Sequence, residues 1–97
     1  MKFEIVFTEH ANQQMNSLKK NSSPRIFTAV CKILGYMETN LRHQSLNTHK
    51  YSAIAGPNDE PVFESYVQNR TPGAYRIFWC YGPTKAKITI LEISPHP

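Results

Sequence analysis

Arg76, His96, His49 and Lys50 are the residues of this sequence whose types could act together on a phosphodiester. Arg76 stands among Tyr75, Ile77, Phe78 and Trp79, where a charge is costly unless it has a partner or a task. A guanidinium forks two donors onto phosphate oxygens and keeps its charge under all ordinary conditions. His96 falls in the closing Pro95-His96-Pro97, and an imidazole is suited to giving or taking a proton near neutral pH. RNA can be cut without a metal when its own 2′-hydroxyl attacks the adjacent phosphate. That reaction needs a base for the 2′ proton, cations for the pentavalent charge and an acid for the leaving 5′-oxygen. Arg70, Lys85 and Lys87 are further candidate RNA contacts, and Phe78, on the same strand face as Arg76, is the candidate for stacking on a base. There is no CxxC or HxxxH spacing, so neither a metal nor another cofactor is expected.

Each of these residues also has a plainer reading. Arg76 can pair with Glu64 across neighbouring strands. His96 can fray at the terminus, and His49 and Lys50 can be the solvated side of a loop. Tyr75, Trp79 and Tyr81 alternate on one face and read as core, opposite Phe78.

The elements that must hold these side chains follow from periodicity. Two apolar runs, Tyr75–Tyr81 and Ile88–Ile93, flank Gly82-Pro83 and read as an antiparallel hairpin in the middle of a sheet. Lys2 to Phe7 alternates with period two, a strand. Thr8 is a helix N-cap, with Glu9 well placed for the helix dipole and Ala11, Met15 and Leu18 on one face. After a break at Asn21-Ser22-Ser23-Pro24, Ser23 caps a second helix that has Pro24 at its first position. Its apolar stripe is Phe27, Val30, Leu34, Met37 and Leu41, widened by Ile26 and Ile33. Leu41 to Pro61 has little periodicity, and so long a connection is either functional or hides an irregular strand, anchored by Leu46, Tyr51 and Ile54. Val62 to Gln68 alternates again, and Asn69-Arg70-Thr71-Pro72-Gly73 turns into the hairpin. The order β-α-α-β-β-β predicts an α+β fold with a two-helix hairpin on one face of a small, antiparallel-rich sheet. The first strand should lie at an edge or beside the last strand. The other face should be open and concave, with basic residues gathered on it.

At 97 residues and 40% hydrophobic content the chain is expected to form a single domain, 1–97. The net charge of +4 suits a polyanion or an acidic protein partner. No apolar segment approaches bilayer length and no signal-peptide pattern opens the chain, so a cytoplasmic protein with no membrane contact is expected. Cys31 and Cys80 read as buried free thiols.

The order of elements, the opening FTEHANQQMNSLKK, the strand Ala74-Tyr75-Arg76-Ile77-Phe78-Trp79 and the ending at His96 together resemble the RelE/ParE superfamily of type II toxin–antitoxin toxins. The resemblance covers nearly the whole chain. It implies a toxin neutralised by a cognate acidic antitoxin. For RelE-like and YoeB-like members it implies an endoribonuclease acting on mRNA at the ribosome. ParE-like members inhibit DNA gyrase instead, and a non-toxic remnant that keeps only the antitoxin groove is the third possibility. By position the resemblance assigns Arg76 to the phosphorane and His96 to the general acid. Family nucleases often end in His-Tyr and carry a Glu or Lys base after the second helix. This chain ends in His96-Pro97 and offers His49 and Lys50 there.

Overall fold

The computed structural model describes residues 2–21, 24–68 and 73–95. In chain order it has β1 (Glu4–Phe7), α1 (Glu9–Asn21), α2 (Pro24–Thr39), a 3-10 turn at Gln44–Leu46, β2 (His49–Lys50), β3 (Phe63–Tyr66), β4 (Tyr75–Tyr81) and β5 (Lys87–Pro95). The five strands form one sheet in the order β1-β5-β4-β3-β2. The α+β expectation stands, with one addition. The irregular connection does hide a strand, the two-residue β2, which pairs antiparallel with β3. β1 takes both expected places at once: it is an edge strand and lies beside β5, in parallel. The expected cap Ser23, most of the β3–β4 turn and His96 lie outside the described residues.

Local chemistry explains the helices. The Thr8 hydroxyl accepts the Ala11 N–H at 3.1 Å, satisfying one of the amides that a helix start leaves unpaired. Pro24 opens α2, where its missing N–H costs nothing. The fully buried positions of α2 are Val30, Ile33 and Met37. Phe27 and Leu34 are only half-buried, and Leu41 follows the end of the helix. Ala11 and Leu18 of α1 join them against Ile77 and Trp79 of β4 and Ile88, Ile90 and Ile93 of β5. Trp79 is fully buried and donates its indole N–H to the Ser65 hydroxyl at 2.9 Å, which meets the Thr48 hydroxyl at 2.7 Å. A large ring is thus buried with its polar atom satisfied.

β5 contains the one irregularity on which the two faces depend. Phe78 pairs with Glu92 and Trp79 with Ile90, so Leu91 is left without a partner as a β-bulge. Strict alternation would send Ile93 to the face opposite Ile88 and Ile90. The extra residue resets the phase. All three isoleucines face the helices, while Thr89, Glu92 and Ser94 face the other side. The Leu91 carbonyl accepts the Thr8 hydroxyl at 3.4 Å. Beyond β1, the exposed edge of β5 is closed by Gln14 of α1, whose side-chain oxygen accepts the Ile93 N–H at 2.6 Å.

The second face is not as open as expected. Residues 51–62 fold over part of it, and the Tyr51 ring lies 4.9 Å from that of Phe78. Tyr51 N–H donates to the Val62 carbonyl, and Gly56 N–H to the Glu60 carbonyl, at 2.8 and 2.9 Å. The Glu60 carboxylate accepts the Asn58 N–H at 2.7 Å. Hydrogen bonds from its own backbone and from Asn58 hold the Glu60 carboxyl below its ordinary pKa. Burial, and then the Glu60 charge, push the Cys80 thiol up. Cys80 is buried as expected, whereas Cys31 lies exposed on α2. No helix among the described residues is long and apolar enough to cross a membrane.

Deleting Leu91 removes the bulge and leaves a regular strand in which Ile88, Ile90 and Ile93 still alternate onto the helix face. Ile93 should therefore stay in the core, and the cost should stay under about 2 kcal/mol, the share of a half-buried leucine. Leu91→Ala keeps the bulge and loses only the side chain. Urea denaturation of both variants separates the contribution of the bulge from that of the side chain.

Candidate active site on the second face of the sheet

Residues directly opposite one another in a sheet share a face. Pairing therefore sets His49, Glu64, Phe78 and Glu92 in one row across β2, β3, β4 and β5. Tyr66, Arg76 and Ser94 form the adjoining row. The chemistry gathers where the two rows meet.

Glu64 is at its centre and only 3% exposed. Its Oε1 lies 2.6 Å from His49 Nε2 and its Oε2 lies 3.8 Å from Arg76 Nε. The Arg76 guanidinium stacks on the Tyr66 ring, 3.9 Å from its centroid, and Nη1 donates to the Ala74 and Tyr75 carbonyls at 3.1 and 3.3 Å. Glu64 Oε2 and Arg76 Nε face one another beyond hydrogen-bond distance, and neither has another hydrogen-bond partner among the described residues. A buried carboxylate and a buried guanidinium thus keep one polar atom each uncommitted, at the same spot.

His49 supplies the proton. Its Nδ1 lies 3.1 Å from the Asn47 carbonyl, which can only accept, so Nδ1 carries a hydrogen. One further proton is then shared between Nε2 and Glu64 Oε1. The pair is an imidazolium beside a carboxylate, or a neutral imidazole beside a carboxylic acid. With both ring nitrogens engaged, His49 cannot take up another proton in this geometry. The free acceptor is Glu64 Oε2. His49 is the accessible member of the pair, with its side chain 45% exposed, and its ring meets Tyr66 edge-on at 5.6 Å.

Of the residues selected from the sequence, Arg76 and His49 come together, joined by Glu64. The expected Arg76–Glu64 pairing exists, but as one arm of a three-residue cluster. Phe78 shares their face yet is buried beneath Tyr51, so it is not an open stacking surface. Lys50 follows His49 in β2 but sits opposite Phe63, in the row that faces the helices, away from the cluster. Lys85 is in the β4–β5 turn. Lys87 starts β5 and pairs with Glu4 at 3.8 Å. Ser94 lies near the other end of that strand, roughly 20 Å away, so these two lysines are remote from Arg76. Among the described residues, Lys50, Lys85 and Lys87 therefore do not collect around Arg76. Arg70 and His96 lie outside the described residues. Sequence reasoning missed Glu64 and Tyr66 as site residues. The available signal was an acid inside an otherwise alternating strand, the same anomaly that singled out Arg76.

Beside the cluster, Glu92 is held from two sides, by the Ser94 hydroxyl at 2.7 Å and His10 Nε2 at 3.5 Å. It borders a cleft of about 320 Å³ with Tyr51, Ile54, Phe78, Ser94 and Pro95. A larger groove, about 830 Å³, runs along the helix side past Phe3, Arg42, Phe63 and Tyr81, on the opposite side of the sheet from Arg76. Among the described residues no three His, Cys, Asp or Glu side chains come together as a metal site.

Three solved structures share this architecture. The archaeal RelE–RelB complex from Pyrococcus horikoshii OT3 matches with a TM-score of 0.67 at 14% identity, over 98% of this chain and 96% of that one. The YoeB/ParE toxin from Agrobacterium tumefaciens matches at 0.72 and 5% identity, over 98% and 100%. The YoeB–YefM complex from Staphylococcus aureus matches at 0.62 and 12% identity, over the full length of both chains. No protein-family model and no curated protein matches the chain. The fold is therefore that of RelE and YoeB type II toxins.

Glu64→Ala should destabilise the protein by about 3 kcal/mol, since it leaves the Arg76 charge buried without its partner. The double replacement Glu64→Leu with Arg76→Met should cost less than Glu64→Ala alone. His49→Ala, at an exposed position, should cost under about 1 kcal/mol. Chemical denaturation of the variants measures all three.

Proposed function

We propose that this chain is a member of the RelE/ParE superfamily and the toxin of a type II toxin–antitoxin pair. We further infer that it is a RelE/YoeB-like endoribonuclease that cuts mRNA at the ribosome. The observation that carries this reading is the Glu64 carboxylate, buried between the His49 imidazole and the Arg76 guanidinium with one oxygen uncommitted. A base and a fixed cation on one sheet face are two of the parts that 2′-hydroxyl attack requires.

In this mechanism Glu64 Oε2 takes the proton of the 2′-hydroxyl. The 2′-oxygen then bonds to the adjacent phosphorus. Arg76 balances the extra negative charge on the pentavalent phosphorus through the donors of its fork that the main chain does not hold. The bond to the 5′-oxygen breaks, and His96 gives that oxygen a proton. The products are a 2′,3′-cyclic phosphate and a 5′-hydroxyl. His49, bonded to Glu64 Oε1, steadies the carboxylate. Lys50, Lys85 and Lys87 have no part at this centre.

The antitoxin reading draws on the complexes with RelB and YefM and on the net charge of +4, which favours an acidic partner. The ParE-like alternative, a gyrase inhibitor without acid–base chemistry, has one observation in its favour. Arg76 is only 12% exposed and largely occupied by its own surroundings, as a structural arginine would be.

Induced expression followed by primer extension on cellular mRNA separates the two. Site-specific cuts are expected, falling at least a hundredfold in Arg76→Ala, Glu64→Gln and His96→Ala while circular dichroism shows each variant folded. Growth arrest with intact mRNA and inhibited gyrase would overturn the nuclease reading in favour of the alternative.

A further inference from the structure

The cleft beside the candidate active site has a composition that the cleavage chemistry does not use. Its walls are apolar: Tyr51, Ile54, Phe78 and Pro95. Ile54 is 44% exposed, unusual for so large an aliphatic side chain, while Phe78 and Tyr51 form a tilted ring pair at 4.9 Å behind it. The polar groups at its edge are Glu92 and Ser94. Ser94 donates to Glu92 Oε2 at 2.7 Å, and His10 approaches Oε1 at 3.5 Å. Between them they fix the direction of the carboxylate without using up its acceptor capacity, because each oxygen has two lone pairs. Ser94 is the direct cross-strand neighbour of Arg76, one strand spacing of about 5 Å away.

The geometry points to this cleft as the subsite for a nucleobase, with Glu92 as the residue that selects guanine. The inference rests on the reading that Arg76 holds a phosphate. A flat heterocycle fits between apolar walls and presents its edge to the carboxylate. An ionised carboxylate can only accept. Guanine offers two adjacent donors on its Watson–Crick edge, N1–H and the N2 amino group, and meets both oxygens at once. Adenine and cytosine offer one amino group beside a ring nitrogen that would face the second oxygen lone pair to lone pair. Uracil offers a single N–H flanked by two carbonyls that the carboxylate repels. Single-stranded RNA exposes these edges, so a protein can read them directly. Glu92→Gln exchanges one acceptor for a donor, which breaks the match to guanine and improves the match to adenine.

The test has two arms. In the first, the full chain is titrated with guanosine, adenosine, cytidine and uridine 3′-monophosphates, and the Ile54 and Glu92 signals are followed by NMR. Guanosine monophosphate should bind roughly tenfold more tightly than uridine monophosphate, the usual worth of one bidentate contact. E92Q should lose that preference while the Ile77 and Trp79 signals of the core stay unchanged. Ile54→Ala, at an exposed wall, should weaken all four nucleotides alike. Equal affinity for the four, no binding of any, or an intact preference in E92Q overturns the subsite. In the second arm, primer extension compares cleavage sites of the parent chain and E92Q. A shift away from guanine supports the assignment, and a uniform loss at every site overturns it. If the parent chain cuts no mRNA, the nuclease reading fails, while the titration still decides whether the cleft reads guanine.

Discussion

β5 has to serve two surfaces that make opposite demands. It lies between β1 and β4, and its isoleucines carry the packing of α1 and α2. Its other side supplies Glu92 and Ser94 to the face that holds Arg76. A regular strand of this sequence cannot do both along its length, because Ile90 and Ile93 are an odd number of positions apart. The bulge at Leu91 removes the conflict. It keeps the core continuous to the end of the strand and turns the polar residues outward in the same stroke. α1 is fitted to this irregularity from both sides, with Thr8 on the Leu91 carbonyl and Gln14 on the Ile93 amide.

Burying charge on the resulting face is costly, and the structure shows how the cost is contained. Glu64 meets an imidazole on one oxygen and faces a guanidinium with the other. Arg76 is steadied by main-chain carbonyls and the Tyr66 ring. Replacing such a cluster with apolar residues generally costs little stability, so stability alone does not account for it. Under the proposed nuclease reading, what the cluster provides is preorganisation. Glu64 Oε2 and Arg76 Nε are held facing one another at 3.8 Å, both shielded from solvent, so their charges are fixed in place by the fold.

The segment over residues 51–62 changes the character of this face. Without it, Phe78 would be an exposed ring beside Arg76. Tyr51 covers that ring, and the exposed apolar surface moves outward to Ile54, leaving a walled cleft with Glu92 at its edge. The hydrogen bonds that Glu60 accepts within the loop hold it in shape.

The amino-acid sequence was sufficient for whatever is local. Alternation announced the strands, the spacing of Ala11, Met15 and Leu18 announced a one-sided helix, and Thr8 and Pro24 marked where helices start, because caps and periodicity involve only residues a few positions apart. A lone arginine among aromatics likewise pointed to Arg76 without any knowledge of its neighbours. Tertiary structure alone decided which strand faces which, and with what phase. The phase of β2 against β3 sends His49 to Glu64 and Lys50 to the opposite side, and the Leu91 bulge turns Glu92 and Ser94 toward Arg76. A period of two says that side chains alternate. Which of the two sides meets a partner depends on pairing with segments far along the chain, and that is settled only when the sheet assembles.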